Sequence, residues 1–173
     1  MISSRQAMIS SQRRQVASSF VLLVVGGAAI AGAWSFQLIG GYVPCALCLS
    51  QRIPYYVGLP VAAVALLAAL MRLPRGVSRL LLLVAAAIFA YGFVLAVYQA
   101  GAEWKFWEGP TDCGGGTAAV TSAGALLSQL QTTRVVSCTE AAFRLLGLSF
   151  AGWNAVASAF LVAVGLYGAG RGD

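Results

Sequence analysis

Long apolar stretches dominate the chain, and its charges are confined to short segments between them. Charge-free windows run from Val16 to Gln51, Ile53 to Met71, Leu80 to Ala102 and Leu145 to Gly170. Each supplies the roughly 20 apolar residues that cross the hydrocarbon core of a bilayer as a helix. The pattern predicts an all-α membrane protein, a four-transmembrane-helix bundle forming one domain over 1–173. Its spans are expected at about 16–36, 49–71, 80–100 and 148–168. The second contains Pro54 and Pro60, each expected to bend it by freeing a backbone carbonyl. A long outer loop, 101–147, exceeds what a bare connection in so compact a chain requires. Within it Ala119, Ala123, Leu126, Leu127 and Leu130 recur at helical spacing opposite Thr, Ser and Gln. Residues 118–131 are therefore expected to form a short amphipathic helix, either lying on the bilayer or packed against the bundle.

Composition agrees with a bilayer: 60% of the 173 residues are hydrophobic and only 9% are charged, which excludes a soluble domain. The net charge of +6 is not a nucleic-acid footprint, because no basic run interleaved with aromatics accompanies it. It has a topological explanation. Arg5, Arg13, Arg14, Arg72, Arg75, Arg79 and Arg171 fall on one side of the predicted spans, against Lys105, Arg134 and Arg144 on the other and Arg52 at the boundary. The positive-inside rule puts both termini and the 72–79 turn in the cytoplasm. Trp34, Trp104, Trp107 and Trp153 then sit near the outer ends of helices, where indoles bridge lipid and water. Residues 1–15 read as a polar cytoplasmic tail. The apolar run beyond Arg13-Arg14 continues past the small residues Ala31-Gly32-Ala33, so a retained helix is preferred to a cleaved signal peptide.

With this topology all four cysteines, Cys45, Cys48, Cys113 and Cys138, lie outside, where a bacterial inner membrane faces an oxidising compartment. The chain has no histidine, which removes Ser-His-Asp triads, Cys-His pairs and histidine metal sites. A second short CxxC knuckle for zinc is also missing, and no metal is expected. In Pro44-Cys45-Ala46-Leu47-Cys48-Leu49-Ser50-Gln51-Arg52, two thiols three residues apart share a helix face, with Pro44 suited to the first turn. A helix N-terminus at the thiols and Arg52 four residues after Cys48 both favour a thiolate. The plainer alternative is two small apolar residues at a membrane boundary with a snorkelling arginine. Cys113 lies between Pro110 and Gly114-Gly115-Gly116, an extended segment that a partner enzyme could reach. A Cys113–Cys138 bond could instead be a staple worth about 3 kcal/mol in the chain-entropy model. Asn154, near the outer end of the last span, is suited to bonding another helix or to contacting a head group or cofactor. The five acidic residues, Glu103, Glu108, Asp112, Glu140 and Asp173, fall outside the predicted spans, which argues against an ion-coupled transporter.

Three pieces of sequence carry a resemblance to the bacterial disulfide bond formation protein B (DsbB) family. They are Pro44-Cys45-Ala46-Leu47-Cys48 with Arg52; Tyr98-Gln99-Ala100-Gly101-Ala102-Glu103-Trp104 leading through Trp107-Glu108-Gly109-Pro110 to Cys113; and Cys138 through Leu146-Gly147-Leu148-Ser149 to Trp153-Asn154. The resemblance implies a membrane oxidoreductase that reoxidises a periplasmic DsbA-like, thioredoxin-fold dithiol oxidase and passes two electrons to the membrane quinone pool, ubiquinone or menaquinone. By position, Cys113 resembles the cysteine attacked by the reduced partner, and Cys138 its partner, which relays to Cys45. Cys48 resembles the thiolate that reacts with quinone, and Arg52 the residue that assists there. Gln99 stands where related sequences often have histidine, and Thr139 where they often have an acidic residue. Neither change removes a thiol, but the first questions any proton-handling role at Gln99. A vitamin K epoxide reductase-like enzyme, also a four-helix bundle with CxxC, differs in motif order and lacks the Gly-Pro-x-x-Cys segment.

Overall fold

A computed structural model describes residues 2–109, 134–135, 139, 141 and 143–170. Its elements are α1 (Ile2–Leu38), β1 (Tyr42–Val43), α2 (Ala46–Ser50), α3 (Ile53–Leu70), α4 (Arg75–Glu103), β2 (Arg134–Val135), β3 (Arg144–Leu145), β4 (Leu148–Ser149) and α5 (Phe150–Ala169). Among the described residues four helical stretches are long and apolar enough to cross a membrane: Ile9–Leu38, Ala46–Leu70, Arg75–Glu103 and Phe150–Ala169. The predicted all-α, four-span architecture is therefore present. The expected amphipathic helix at 118–131, Cys113 and Cys138 lie outside the described residues.

The helices form a ring in which α4 packs on α3 and α5, and α1 packs on the same two. Thus α1 and α4 occupy one diagonal, α3 and α5 the other. Both chain ends and the turn after α3 share one end of the bundle. There Arg14 donates to the Gly170 carbonyl, Gln12 Nε2 to the Ala69 carbonyl (2.9 Å) and Gln15 Nε2 to the Arg75 carbonyl (3.4 Å). Residues 2–15, expected as a polar tail, instead continue α1. No proline or glycine interrupts this stretch, and Gln12, Arg14 and Gln15 find backbone carbonyls to bond.

In a membrane, helix association rests on close packing rather than on hydrophobic burial, so small residues line the contacts. Ala62, Ala65, Ala85 and Ala86 are buried alongside Leu22, Leu82, Phe89 and Leu161. At Gly58 α3 comes close to α4: a Cβ there would lie 2.8 Å from Phe89 Cζ, and Phe89 is itself held edge-on to Tyr55 with centroids 5.7 Å apart. The Gly58→Val variant should lose about 1–3 kcal/mol of stability through overpacking. Reversible unfolding in mixed micelles measures this, with Gly27→Val, which meets nothing within 4 Å, as the control.

The second span departs from the expected single bent helix. Its chain forms the short α2, breaks at Gln51-Arg52, and restarts as α3 with Pro54 in the first turn. Pro54 there starts a helix rather than distorting one, because a first-turn residue has no intrahelical N–H bond to lose. Pro60 is the one proline inside α3. Pro44 lies before α2, whose N-cap is Cys45. At the same end, β3 and β4 form a hairpin closed by Leu146 (φ 53°) and Gly147 (φ 85°), the two positive φ angles of a type I′ turn. The hairpin delivers Ser149 as the N-cap of α5, its Oγ accepting from Gly152 N at 3.1 Å.

Candidate active site

The site lies at the end of the bundle opposite the termini and grows from the N-cap of α2. Cys45 has extended backbone (φ −71°, ψ 167°), and its Sγ accepts from Cys48 N at 3.3 Å, in the place a serine or aspartate oxygen usually takes. Capping turns the Cys45 sulfur towards the next turn. There it donates to Cys48 Sγ across 3.0 Å, so only a small closure separates the two sulfurs from bonding distance once two electrons and two protons are removed. The two are not equivalent: Cys45 is buried, whereas Cys48 is half-buried and lines a cavity.

That cavity, about 460 Å³, lies between α1, α3 and α5 beneath the β3–β4 hairpin. Its wall is mostly apolar and aromatic, with Phe36, Phe143, Phe150 and Trp153, and its polar groups include Cys48, Gln51, Arg52, Gln99, Glu103 and Asn154. An apolar pocket with a few convergent polar groups is the usual form of a small-molecule site. Arg52 falls in the break between α2 and α3, so helical spacing from Cys48 does not explain its position. The guanidinium is aimed instead by α1: Nη1 donates to Gln37 Oε1 (2.6 Å), Nη2 to the Ala33 carbonyl (3.3 Å), and Cζ lies 5.4 Å from the Trp34 ring centroid. Trp34 is fixed in turn by its Nε1 donating to Tyr56 OH (2.9 Å). Arg52 is only 9% exposed, so it does not snorkel to the interface.

Behind the thiols runs a chain of hydrogen bonds joining α2, α3, α4 and α5. Gln99 Nε2 donates to Cys48 Sγ (3.4 Å) and to Glu103 Oε1 (3.3 Å), while its Oε1 accepts from Gln51 Nε2 (2.6 Å). Gln51 Oε1 accepts from Asn154 Nδ2 (2.5 Å), Asn154 Oδ1 from Tyr55 OH (2.6 Å), and Tyr55 OH lies 3.3 Å from Ser158 Oγ. Asn154 thus bonds other elements, one of its two expected uses. Gln99 is a buried carboxamide that orients Cys48 and Glu103 but is not itself a proton carrier near neutral pH.

Sequence reasoning missed Gln51, Tyr55 and Ser158, polar residues in an apolar run with no spacing signal of their own. It also misplaced Glu103. That residue ends α4 inside the apolar stretch Arg75–Glu103 and is 7% exposed, because α4 runs three residues beyond the expected span. Among the described residues no cluster of three or more His, Cys, Asp or Glu forms a metal site.

The tryptophans cap this same end of the bundle. Trp107 Nε1 donates to the Tyr98 carbonyl (2.9 Å) and Trp153 Nε1 to the Leu145 carbonyl (3.0 Å), while Arg144 stacks on Trp104. Farther out, β1 pairs in parallel with β2, Tyr42 opposite Arg134 and Val43 opposite Val135. The strand leading into Cys45 therefore runs beside the strand that precedes Cys138 by three residues.

Four membrane-length helices holding a dithiol beside an apolar cavity define a multi-pass membrane protein built for thiol chemistry. Residues 14–168 match the family model described as disulfide bond formation protein DsbB, and the chain belongs to that family. It is accordingly an oxidoreductase of disulfide-bond formation. No curated protein and no solved structure matches the chain significantly.

Proposed function

We propose that this protein reoxidises a periplasmic DsbA-like dithiol oxidase through Cys113 and Cys138, relays the electrons to Cys45 and Cys48, and passes them to a quinone, ubiquinone or menaquinone, in the cavity beside Cys48. The observation that carries this reading is the wall of that cavity, where Cys48 and the buried Arg52 cation face one apolar space. The fit is chemical. A quinone is a flat apolar ring with two carbonyl oxygens, and the aromatic lining suits the ring while Arg52 suits an oxygen that gains negative charge.

Each residue has a distinct part. Cys113 receives the partner's thiolate, and Cys138 is released to attack Cys45 in the Cys45–Cys48 disulfide. The parallel β1–β2 pairing supports this step, since three residues beyond Val135 reach at most about 10 Å. Attack at Cys45 expels Cys48 as the leaving thiolate, directly against the cavity, where Gln99 Nε2 is already positioned to donate to its sulfur. Arg52, prepositioned by Gln37 and Ala33, stabilises negative charge at the same place without reorganising. A bound quinone supplies the acceptor for two electrons and two protons.

The site end then faces the periplasm of a bacterial inner membrane and both termini face the cytoplasm. In support, Arg13, Arg14, Arg72, Arg75 and Arg79 cluster near the opposite end. The direct test is single-turnover oxidation of a reduced DsbA-like partner by purified protein with and without ubiquinone. Quinone-dependent oxidation is the expected result. A partner left reduced, with both disulfides inert to it, contradicts the reading and leaves a stapled membrane bundle.

A further inference from the structure

We infer that Glu103 is the proton carrier of the cavity, holding the Cys48 proton while the dithiol is reduced and delivering it to the acceptor as the dithiol is oxidised. The inference rests on the quinone reading above. Its first support is an unpartnered atom: Glu103 is 7% exposed and lines the cavity, and its Oε2 is buried without a hydrogen-bond partner among the described residues. A buried carboxyl oxygen left unbonded is destabilising, and such a cost is retained in a site where the atom has a transient partner.

The second support is position. One nitrogen, Gln99 Nε2, bonds both Cys48 Sγ (3.4 Å) and Glu103 Oε1 (3.3 Å), so thiol and carboxyl share one donor and lie two hydrogen bonds apart, a span that a single water also bridges. The third is elimination. Among the described residues the other titratable or charged groups lining the cavity are Cys48, Arg52, Tyr42 and Tyr55, with Cys45 behind Cys48. A guanidinium offers donors only, a phenol is a poor proton acceptor, and the chain has no imidazole. Lys105 and Glu108, next on the chain, are exposed, and Arg144 stacks on Trp104. Among the described residues Glu103 is thus the only carboxyl group in the lining.

The step balances. Two S–H bonds break, one S–S bond forms between Cys45 and Cys48, and two electrons and two protons end on the acceptor. The Cys48 proton passes to Glu103 in the reduced protein, leaving the thiolate, and goes on to one acceptor oxygen as the disulfide closes, so Glu103 is a carboxyl in the reduced protein and a carboxylate in the oxidised one. The Cys45 proton is released to the outer aqueous face as the S–S bond closes, and the second oxygen is protonated from that face.

The test compares wild type, Glu103→Gln and Glu103→Asp in two measurements. Steady-state ubiquinone reduction should show kcat lowered about 10²-fold in Glu103→Gln with little change in KM, and partly recovered in Glu103→Asp. The oxidised-minus-reduced infrared difference spectrum of quinone-free protein should contain a carboxyl band that is lost in Glu103→Gln and shifted in Glu103→Asp. A kcat for Glu103→Gln within about threefold of wild type, or no carboxyl band in the wild type, overturns the assignment. If Glu103→Gln does not fold, the wild-type band and its shift in Glu103→Asp decide alone. Failure of wild type to reduce ubiquinone is a separate result, visible before any variant is compared, and contradicts the quinone reading itself.

Discussion

Cys48→Ser should abolish quinone-coupled turnover, with a loss on the order of 10⁴-fold or more, as expected when a reacting nucleophile is removed from a group that acts as a unit. Cys48 is the only cysteine lining the cavity among the described residues, so no other described sulfur can take its place. A serine hydroxyl stays protonated near neutral pH and cannot form the bond with Cys45 that closes the dithiol. The fold should survive. The side chain keeps its size, and the N-cap bond uses the backbone N–H of residue 48, not its sulfur. Ubiquinone reduction and partner oxidation, measured beside the circular dichroism spectrum, check this. Folded protein with no turnover is the predicted pair of results.

Arg52→Met should lower kcat by about 10²–10³-fold, the usual consequence of removing one prepositioned charge from a developing oxyanion. Methionine retains the apolar stem and leaves the α2–α3 break intact, so the loss reports charge rather than packing. Unlike a surface arginine, Arg52 is already oriented by Gln37 Oε1, the Ala33 carbonyl and the Trp34 ring before any acceptor arrives. This contact set also predicts that Arg52→Lys recovers only part of the rate. A lysine keeps the charge, but one ammonium cannot reproduce a planar fork donating in two directions. Initial rates against ubiquinone concentration, giving kcat and KM separately for both variants, measure the effect.

The four spans were legible in the sequence because a bilayer imposes one simple requirement, about 20 apolar residues per helix, and the charge-free windows meet it directly. The thiols of the CxxC pair and Arg52 were legible for a similar reason: their chemistry is rare in an apolar chain, so their types alone single them out. Their geometry was not. Helical spacing suggested one continuous helix from Pro44 through Arg52, whereas Cys45 caps α2 and the chain breaks before α3. Arg52 lies at that break and is positioned by α1. Gln51, Gln99, Tyr55, Asn154 and Ser158 form one hydrogen-bonded chain across three helices and α2. Only tertiary packing brings together partners as far apart as Tyr55 and Ser158, and no local pattern encodes it. Glu103 was misassigned to the outer loop because the end of a membrane helix is set by packing as well as by hydropathy, and here α4 carries a carboxylate into the protein interior.

The most direct measurement is an anaerobic titration of the reduced, purified protein with ubiquinone, following quinone absorbance while mass spectrometry reports the state of each cysteine. Formation of one quinol for each closure of the Cys45–Cys48 disulfide, blocked when Cys48 is alkylated beforehand, is the result this account predicts. Quinone that stays oxidised beside an intact dithiol, or reduction that continues undiminished after Cys48 is alkylated, would contradict it.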